Sequence, residues 1–574
     1  MHPPYLPQKD NDKAAREAYL KSQQDLYLYD YEHLPPLVLM DKVPDAEHFS
    51  SKYIAERVLA TSELLPNTLA MKARAFLDPL DELKDYEDFF PVLPLPEVSK
   101  VYQTDDSFGE QRLAGVNPMV LALLKQDDAR GKLLKEGLKA NNGDPPLLDL
   151  DKEIKAGNIY VADYTGKDSR YLGPSLVRGG GYAKGRKYLP KPLAFFWWQS
   201  LGIRDRGKLV PIAIQLSENR KDIYTPFEKN PLDWLFAKLC VQVADSNHHE
   251  MSSHLCRTHF VMEPIAIGTA RQLAKNHPLS LLLRPHFRFM LTNNHLGQER
   301  LINRGGSVDQ LLAGTLPESM ELVKDAYKDW NLKDFAFPEE VKNRGMGDDK
   351  RLPHYPYRDD GMLVWNAIHT FVSGYLNHFY QKPQDVIDDT ELQAWAKELS
   401  DQKEGGKVKG MPSQFSSVDE LIEIITTIIF ICGPQHSAVN FAQYDYMAFV
   451  ANMPLAAYWM PDARTEPAVT MTENQLLQFL PPHNQTAEQL QTLFVLSAYR
   501  YDRLGYYDKS FKELYRQKLE DIFGDSENEA IVAMVMQFQQ NLNMAEQKID
   551  ANNQKRVVVY PFLKPSLILN SISI

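Results

Sequence analysis

The residues of this chain whose types and spacing could do chemistry are histidines in two clusters. HHEMSSHLCRTH (His248 to His259) and HSAVN (His436 to Asn440) offer imidazole and amide groups, and the sequence ends on SLILNSISI. An apolar ending of this kind would hold the terminal carboxylate of Ile574 in place as a fifth ligand. Nitrogen and oxygen ligands without a thiolate suit iron or manganese better than structural zinc, which usually recruits cysteine.

Spacing decides which of these groups could share one ion. His254 and His259 are five residues apart, so on an ideal α-helix they would point about 140° apart. A π-helical turn, which closes from residue i to i+5, would return both to one face. His436 and Asn440 are four apart and share a face without such help. Spacing alone does not decide between two interpretations, a metal site and a pair of histidines packed in the core. The second has weight because a histidine on an apolar helix is more often a structural core residue than a ligand.

A zinc-peptidase site is a second interpretation of the first cluster. His249-Glu250 begins like the HExxH motif of such enzymes, but the next histidine follows His249 by five residues. The motif needs both histidines four apart on one helix face. The zinc interpretation therefore fails.

Composition limits the class of protein and its partners. The formal net charge is −12, which argues against nucleic acid as a partner, because phosphate binding needs clustered lysine and arginine. Three scattered cysteines (Cys240, Cys256 and Cys432) imply no disulfide framework and favour a reducing, cytoplasmic setting. The opening MHPPYLPQKDND has no apolar core of a secretion signal. LIEIITTIIFIC, which contains Glu423, is too short for a membrane span of about 20 residues and predicts a buried core helix.

Hydrophobic periodicity predicts a mainly α fold with a small β element. Helical patterns run from Lys13 to Leu34, from about His48 to Ala75, and from Ser417 to Asn440. The segment from Asn158 to Ser217 alternates short apolar runs with glycine and charge, which is typical of strands. From Trp234 onward a long central helix is expected to cross the first histidine cluster.

The sequence resembles the lipoxygenases, the non-haem iron dioxygenases of fatty acids. The resemblance covers about four fifths of the chain, from Leu113 to the end. It rests on LAGVNP (113–118), PIAIQLS (211–217), HLCRTHFVMEP (254–264), HPLSLLLRPHFRF (277–289), LGQERLINRGG (296–306), DDGMLVWNAI (359–368), DDTELQAWAKEL (388–399), HSAVNFAQY (436–444) and the terminal NSISI. It implies a large lipoxygenase-type helical bundle around a long central helix with a π-helical turn.

The resemblance also implies the ligands and their surroundings. One non-haem iron ion, for which manganese would also fit, would be bound by five residues, with His249 a neighbour and not a ligand. Glu250 stands where many plant relatives carry glutamine, and Gln443 matches the residue that links the amide ligand to the substrate cavity. The implied ligands are His254, His259, His436, Asn440 and the carboxylate of Ile574.

The activity implied is oxygenation of polyunsaturated fatty acids such as linoleate, linolenate and arachidonate, or their esters, to hydroperoxides. Iron redox chemistry removes a hydrogen from a bis-allylic methylene, and dioxygen adds to the resulting radical. Gly297 matches a position that is usually glycine in R-specific members and alanine in S-specific ones, so an R product is expected, at carbon 9 of linoleate. Leu301 and Val308 match positions on the cavity wall.

Two departures from the family qualify these expectations. Residues 1–100 are expected to form a helical extension and lead-in, as in a bacterial-type enzyme, where other members of the family carry an N-terminal β-sandwich domain. Residues 101–574 are expected to form the catalytic domain. Where plant enzymes carry arginine before a proline, this chain has Asn452-Met453-Pro454, so an arginine-anchored orientation with the carboxylate entering first is in doubt.

The alternatives are a hydroperoxide isomerase on the same fold and a catalytically weak lipid-binding protein. A monomer is expected. The amphipathic pattern from Lys13 to Leu34 could rest on a lipid surface or could equally be a helix packed on the catalytic body.

Overall fold

The computed structural model describes residues 4–75, 80–140, 148–165, 176–178, 187–202, 207–216, 222–461 and 470–574. Within these ranges, the helices of the first 160 residues are α1 (Lys13–Leu26), α2 (Ser51–Ala60), α3 (Leu64–Ala75), α4 (Asp105–Ala114), α5 (Ala129–Ala140) and α6 (Leu150–Ala156).

The strands are short and lie mostly in one antiparallel sheet. They are β1 (Tyr29–Asp30), β2 (Leu39–Met40), β3 (Ala122–Leu123), β4 (Ile159–Asp163), β5 (Leu176–Arg178), β6 (Lys187–Leu189), β7 (Leu193–Ser200), β8 (Gly207–Gln215) and β9 (Ile223–Tyr224). The sheet has the order β3-β4-β7-β8-β9, and a bulge between Phe195 and Phe196 shifts the register of β7 against β8. The β element predicted between Asn158 and Ser217 is thereby confirmed within the described residues, which exclude Ser217 itself.

The rest of the chain is helical. Its helices are α7 (Pro231–His248), α8 (Val261–Gln272), α9 (Pro278–Leu283), α10 (Met290–Arg300), α11 (Ser307–Leu311), α12 (Leu316–Asp329), α13 (Phe337–Asn343), α14 (Pro356–Phe379), α15 (Pro383–Ile387), α16 (Thr390–Ser400), α17 (Val418–Phe430), α18 (His436–Asn440), α19 (Gln443–Met447), α20 (Glu473–Phe479), α21 (His483–Ser497), α22 (Asp508–Tyr515), α23 (Leu519–Phe523) and α24 (Glu529–Asn553).

One long helix runs through the centre of the molecule. α7 begins at Pro231, where the Asn230 side chain accepts a hydrogen bond from Leu232 N and proline suits the first helical position. It passes without a break into a π-helical segment, His249–Phe260, and then into α8. Nearly every side chain of α7 is buried, as expected for a helix that is covered on all sides. The predicted central helix with a π-helical turn is confirmed.

A second helix of the same kind crosses beside it. α17 continues through a π-helical segment, Ile431–Gln435, into α18. The span Val418–Met447 is long and apolar enough to cross a membrane by length and composition, but 94% of its most apolar window is buried inside the protein. The prediction of a buried core helix at Leu421 to Cys432 is confirmed.

Two predicted helices near the N-terminus are shorter than their sequence patterns. α1 ends at Leu26 and not at Leu34, because Tyr27 turns into the core and its hydroxyl donates to Glu47 at 2.6 Å. The pattern from His48 to Ala75 divides into α2 and α3. The Thr61 hydroxyl donates to the carbonyl oxygen of Arg57 at 3.0 Å, a contact that competes with helix continuation.

Candidate metal centre and substrate cavity

Three buried histidines converge at one point between the two long helices. One ring nitrogen from each of His254, His259 and His436 lies within 4.8 Å of the others. His254 and His259 share a face because the π-helical segment closes its turn over five residues, and their Nε2 atoms are 3.2 Å apart. His436 comes from the start of α18, on the crossing helix. The widened turn that the spacing required is present.

The donor set of these histidines fits a metal cation. Burial lowers the pKa of all three imidazoles, that of His259 to about 3, so they are neutral and keep a lone pair for a ligand bond. Neither ring nitrogen of His436 makes a hydrogen bond with a described group, although a main-chain oxygen of Ile574 faces the ring. Buried polar nitrogens without a partner are costly, and a shared cation would satisfy them.

Asn440 follows His436 by one turn of α18, and Ile574 is the last residue of the chain; that these two residues are metal ligands stays a prediction. Asn440 is fully buried, and its Nδ2 donates to Leu496 O at 2.9 Å, which fixes the orientation of the amide. Ile574 is 3% exposed and lines the same cavity as His254 and His259. A main-chain oxygen of Ile574 faces the His436 ring, while Asn440 Oδ1 accepts a hydrogen bond from Gln443 Nε2 at 2.9 Å.

Gln443 contacts Asn440 but does not line the cavity. Its Nε2 donates to Asn440 Oδ1 at 2.9 Å and to Asn440 O at 3.0 Å. The described wall of the cavity does not include Gln443. Gln443 is fully buried, and its side-chain amide is held against Asn440 at the end of α18. Its link from Asn440 to the substrate cavity stays a prediction.

His249 and Glu250 support the cluster from the same π-helical segment. His249 Nε2 lies 3.0 Å from Val439 O, so this ring is engaged within the fold, as expected for a neighbour. The Glu250 carboxylate approaches Nδ1 of His254 and Nδ1 of His249, each at 3.5 Å. Burial opposes ionisation of Glu250, but the two imidazoles outweigh it and lower its pKa to about 2. A carboxylate behind a ligand imidazole orients the ring and raises its basicity.

A second polar layer, which the sequence did not reveal, orients His259. The ring Nδ1 of His259 lies 2.9 Å from Asn294 Oδ1, which places the proton on Nδ1 and directs the Nε2 lone pair at the cluster. Asn294 Nδ2 donates to Glu263 Oε2 at 2.7 Å, and Met40 N donates to Glu263 Oε1 at 2.7 Å. The only sequence signal was that Glu263 follows His259 by one helical turn.

An apolar cavity of about 500 Å³ opens from the histidine cluster towards solvent. This size suits a small organic ligand. Seven of the predicted site residues line it: the predicted ligands His254, His259 and Ile574, together with Glu250, Gly297, Leu301 and Val308. Its other walls come from α2, α11, α21 and the π-helical segment, and include Tyr53, Arg57, Leu255, Leu311 and Leu496.

Gly297 lies inside α10 and faces the open part of the cavity. A Cβ atom added at this glycine would meet no heavy atom within 4 Å. A glycine in a helix interior costs about 1 kcal/mol relative to alanine, and the free space around it is consistent with a role in the cavity. Val308 is held in α11, whose C-terminal carbonyl groups at Asp309 and Gln310 accept hydrogen bonds from the buried Lys187.

Comparisons with known proteins agree with this geometry. The family profile described as Lipoxygenase matches residues 196–559. The chain is 33% identical over 505 residues to an allene oxide synthase-lipoxygenase protein of Plexaura homomalla. The matched region covers 83% of this chain and 44% of that protein. The chain therefore spans less than half the length of this relative.

Two further relatives are matched over most of the chain. Identity is 32% over 514 residues to a linoleate 9/13-lipoxygenase of Pseudomonas aeruginosa, covering 86% of this chain and 70% of that protein. Sequence identity is also 32% over 524 residues to a hydroperoxide isomerase of Rattus norvegicus, and the matched region covers 89% of this chain and 68% of that protein. The crystal structure of a coral 8R-lipoxygenase superimposes with a TM-score of 0.85 and 28% identity, covering 100% of this chain and 83% of that one. The chain belongs to the lipoxygenase family and has the lipoxygenase fold.

Proposed function

We propose that this protein oxygenates the 1,4-pentadiene of polyunsaturated fatty acids such as linoleate, linolenate and arachidonate, and releases hydroperoxides. The observation that carries the proposal is the convergence of three buried imidazole nitrogens, within 4.8 Å, beside an apolar cavity. An apolar wall suits an acyl chain, and a metal at its inner end would lie beside the reacting carbon.

The resident metal in this proposal is iron. The ligands are His254, His259, His436, Asn440 and the terminal carboxylate of Ile574, a nitrogen and oxygen set that manganese would also accept. When bound, iron supplies the one-electron redox chemistry that removes hydrogen from a bis-allylic methylene. Metal analysis of the purified protein distinguishes iron from manganese.

The protein's own residues orient the substrate and limit access. Leu301 and Val308, on one wall, hold the pentadiene, while Glu250 and Asn294 fix the rings of His254 and His259. Gly297 leaves room for dioxygen at one end of the pentadiene, because no atom lies within 4 Å of its added Cβ. We infer an R-hydroperoxide, at carbon 9 of linoleate.

A hydroperoxide isomerase is the second candidate, favoured by the matched relative of that name in Rattus norvegicus. It would use the same ligands but would not consume dioxygen. Oxygen uptake with linoleate separates the two. Uptake that is stoichiometric with conjugated hydroperoxide, followed by chiral chromatography showing mainly 9R product, supports the proposal.

Two other results would contradict it. Consumption of an added hydroperoxide without oxygen uptake would assign the isomerase. If the metal-loaded protein reacts with neither compound, the result would indicate a lipid-binding protein without this catalytic activity.

Contact with a lipid surface is also part of the proposal, but through α2 and α3 and not through α1. Arg16 of α1 is buried in an ion pair with Glu391 at 2.8 Å, so this helix packs on the body. On α2 and α3, by contrast, apolar side chains are half or more exposed, and the first two of them also line the cavity: Ile54, Val58, Leu59, Leu65 and Leu69. Exposed apolar patches of this kind are typical of membrane contact.

A further inference from the structure

α11 is a helix of five residues that forms part of the cavity wall. Its Val308 and Leu311 side chains line the cavity, together with Leu312 directly after it. A helix of this length has little stability of its own, because isolated helices shorter than about 12–15 residues are marginal in water. Contacts with the rest of the protein therefore determine where this part of the wall lies.

The C-terminal end of α11 is held by a buried lysine. Lys187 is fully buried, and its Nζ donates to Asp309 O at 2.9 Å and to Gln310 O at 3.1 Å. The last carbonyl groups of a helix have no partner within the helix, and the helix dipole favours a cation at this end. Lys187 does not belong to the described cavity wall. It therefore acts on a ligand through α11 and not by direct contact.

An ammonium group is costly to bury at this position. No ion pair of the described residues includes Lys187, and burial lowers its pKa to about 8, an effect that the nearby Asp309 partly offsets. The Asp309 carboxylate accepts a hydrogen bond from Gly305 N at 3.0 Å. An apolar side chain of similar size would fill the space without the loss of hydration that a charge suffers. What the lysine adds is a pair of directed hydrogen bonds to α11.

The strand that carries Lys187 is itself held in place. β6 pairs with β5, and the main chain of Tyr188 exchanges two hydrogen bonds with Ala457, at 2.8 and 3.2 Å. Leu455, two residues before Ala457, lines the cavity. β6 therefore connects two segments of the cavity wall, α11 through a side chain and the segment at Leu455 through the main chain.

The central helix joins the same two segments a second time. Asn247 Oδ1 accepts from Ala313 N at 3.1 Å, and Asn247 Nδ2 donates to Leu455 O at 2.8 Å. At the other end of α11, Val308 N donates to Leu301 O at 3.0 Å. Of these contacts, the one made by Lys187 can be removed without a change in the main chain or in the central helix that carries the histidines.

We propose that Lys187 is a positioning residue that sets the place of Val308 and Leu311 in the cavity, and through them the position of the pentadiene relative to Gly297. The proposal rests on the proposed function for the reaction, and it assigns part of the positional specificity to a residue of the β element. A displacement of about 1 Å in a reacting group can cost about a hundredfold in rate, so a small shift of this wall is enough to change the product.

Lys187→Met tests the proposal, because methionine keeps most of the apolar volume and removes the hydrogen bonds. Replacement of a buried charge by an apolar side chain is often neutral for stability, so the variant should fold. In the full-length, metal-loaded protein, the main-chain amides of residues 308–313 should exchange hydrogen at least tenfold faster. Oleate, which lacks a bis-allylic methylene and reports binding without turnover, should bind several-fold more weakly in equilibrium dialysis.

Lys191→Met is the matched control. Lys191 is half-buried, lies four residues further along the chain and makes no hydrogen bond to α11 among the described contacts. The same substitution at this position should leave hydrogen exchange at residues 308–313, oleate binding and the products from linoleate as they are in the wild type.

The products from linoleate give a measurement that a purely structural role would not change. The ratio of the 9- to the 13-hydroperoxide should fall at least threefold in Lys187→Met. Val308→Ala should also lower this ratio, and the double variant should lower it no further, because both substitutions act on the same part of the wall.

Two results would overturn the proposal. One is independent, additive effects of the two substitutions on the product ratio. The other is a lower melting temperature of Lys187→Met with an unchanged product ratio and unchanged oleate affinity, which would show that the lysine only stabilises the fold. A wild-type protein that binds oleate but forms no hydroperoxide would refute the proposed function instead, and hydrogen exchange and oleate affinity would then decide whether Lys187 positions the wall.

Discussion

At the scale of single residues, the metal cluster depends on side chains that are not ligands. Asn294 holds Nδ1 of His259 at 2.9 Å and is itself held by Glu263 at 2.7 Å. Such outer partners fix the proton on the far ring nitrogen and keep the near one available for the metal. Their loss typically costs ten- to a hundredfold in metal affinity.

Asn294→Ala tests this dependence. The variant should lose iron about ten times faster or more during dialysis against a chelator, because His259 can then rotate and change tautomer. The measurement is iron per chain against time. Asn293→Ala is the matched control, since Asn293 lines the same cavity but makes no side-chain hydrogen bond among the described contacts. Equal rates of iron loss in both variants would show that Asn294 does not help to retain the metal.

Gly297 carries the stereochemical prediction. Gly297→Ala places a methyl group in open space, where nothing lies within 4 Å, so the fold should tolerate it. The methyl should block dioxygen at one end of the pentadiene and shift the product from 9R towards 13S, while hydrogen abstraction continues. Chiral chromatography of the linoleate products measures the shift.

The control for Gly297 is another glycine on a helix. Gly374→Ala lies in α14, and its Cβ would meet only Met534 Sδ at an ordinary 3.6 Å. Both alanines should stabilise their helices by about 1 kcal/mol, but only the one in the cavity should alter the product. An unchanged product profile for Gly297→Ala would show that this glycine does not direct dioxygen.

At the scale of elements, the sequence predicted the helices that carry the site better than those at the N-terminus. The pair His254 and His259 required a π-helical turn, and the central helix provides one. The pattern after Lys13 failed beyond Leu26, because burial of Tyr27 against Glu47 overrides local periodicity. Tertiary contacts of this kind leave no periodic signal in the sequence.

The exposed side chains of α2 and α3 give a prediction about membranes. Val58 and Leu59 are 64% and 74% exposed, so replacing both with asparagine should leave the fold intact. Burial of apolar area drives binding to a lipid interface, and the double variant should therefore co-sediment several-fold less with phosphatidylcholine liposomes.

A matched double variant in α1 provides the control. Tyr19→Asn with Leu20→Asn changes two half-buried side chains on the helix that packs on the body. This pair should bind liposomes as the wild type does. If the α1 variant loses binding and the α2 variant does not, the lipid-contacting surface has been assigned to the wrong helix.

At the scale of the whole molecule, distant segments of the chain meet at one site. The cavity wall draws on residues 49–61, 250–312, 455–496 and 574. Apolar residues from both predicted segments, 1–100 and 101–574, also belong to one continuous core. The histidines could be assigned from motifs, but Asn294 and Glu263 could not, because only the folded chain brings Asn294 to His259 and Glu263 to Asn294. The boundary at residue 100 stays a prediction.

The last four residues of the chain give a prediction about the metal site as a whole. Ser571, Ile572, Ser573 and Ile574 are each at most 3% exposed. They are held by distant segments, through Tyr53 to Ser573 O and through the Ser571 hydroxyl to Arg288 O at 2.9 Å. A glycine-serine extension after Ile574 would convert the terminal carboxylate into an amide and would have to leave from a buried position.

The extended protein should therefore lose at least tenfold in iron per chain, together with oxygen uptake, because one anionic ligand is removed and the burial of its neighbours is disturbed. The same extension at the N-terminus is the control for the added residues. Ile574→Val keeps the carboxylate and nearly the same apolar volume, so it should retain iron and cost less than about 1.5 kcal/mol of stability. Full iron content and activity in the C-terminally extended protein would show that the carboxylate of Ile574 is not a ligand.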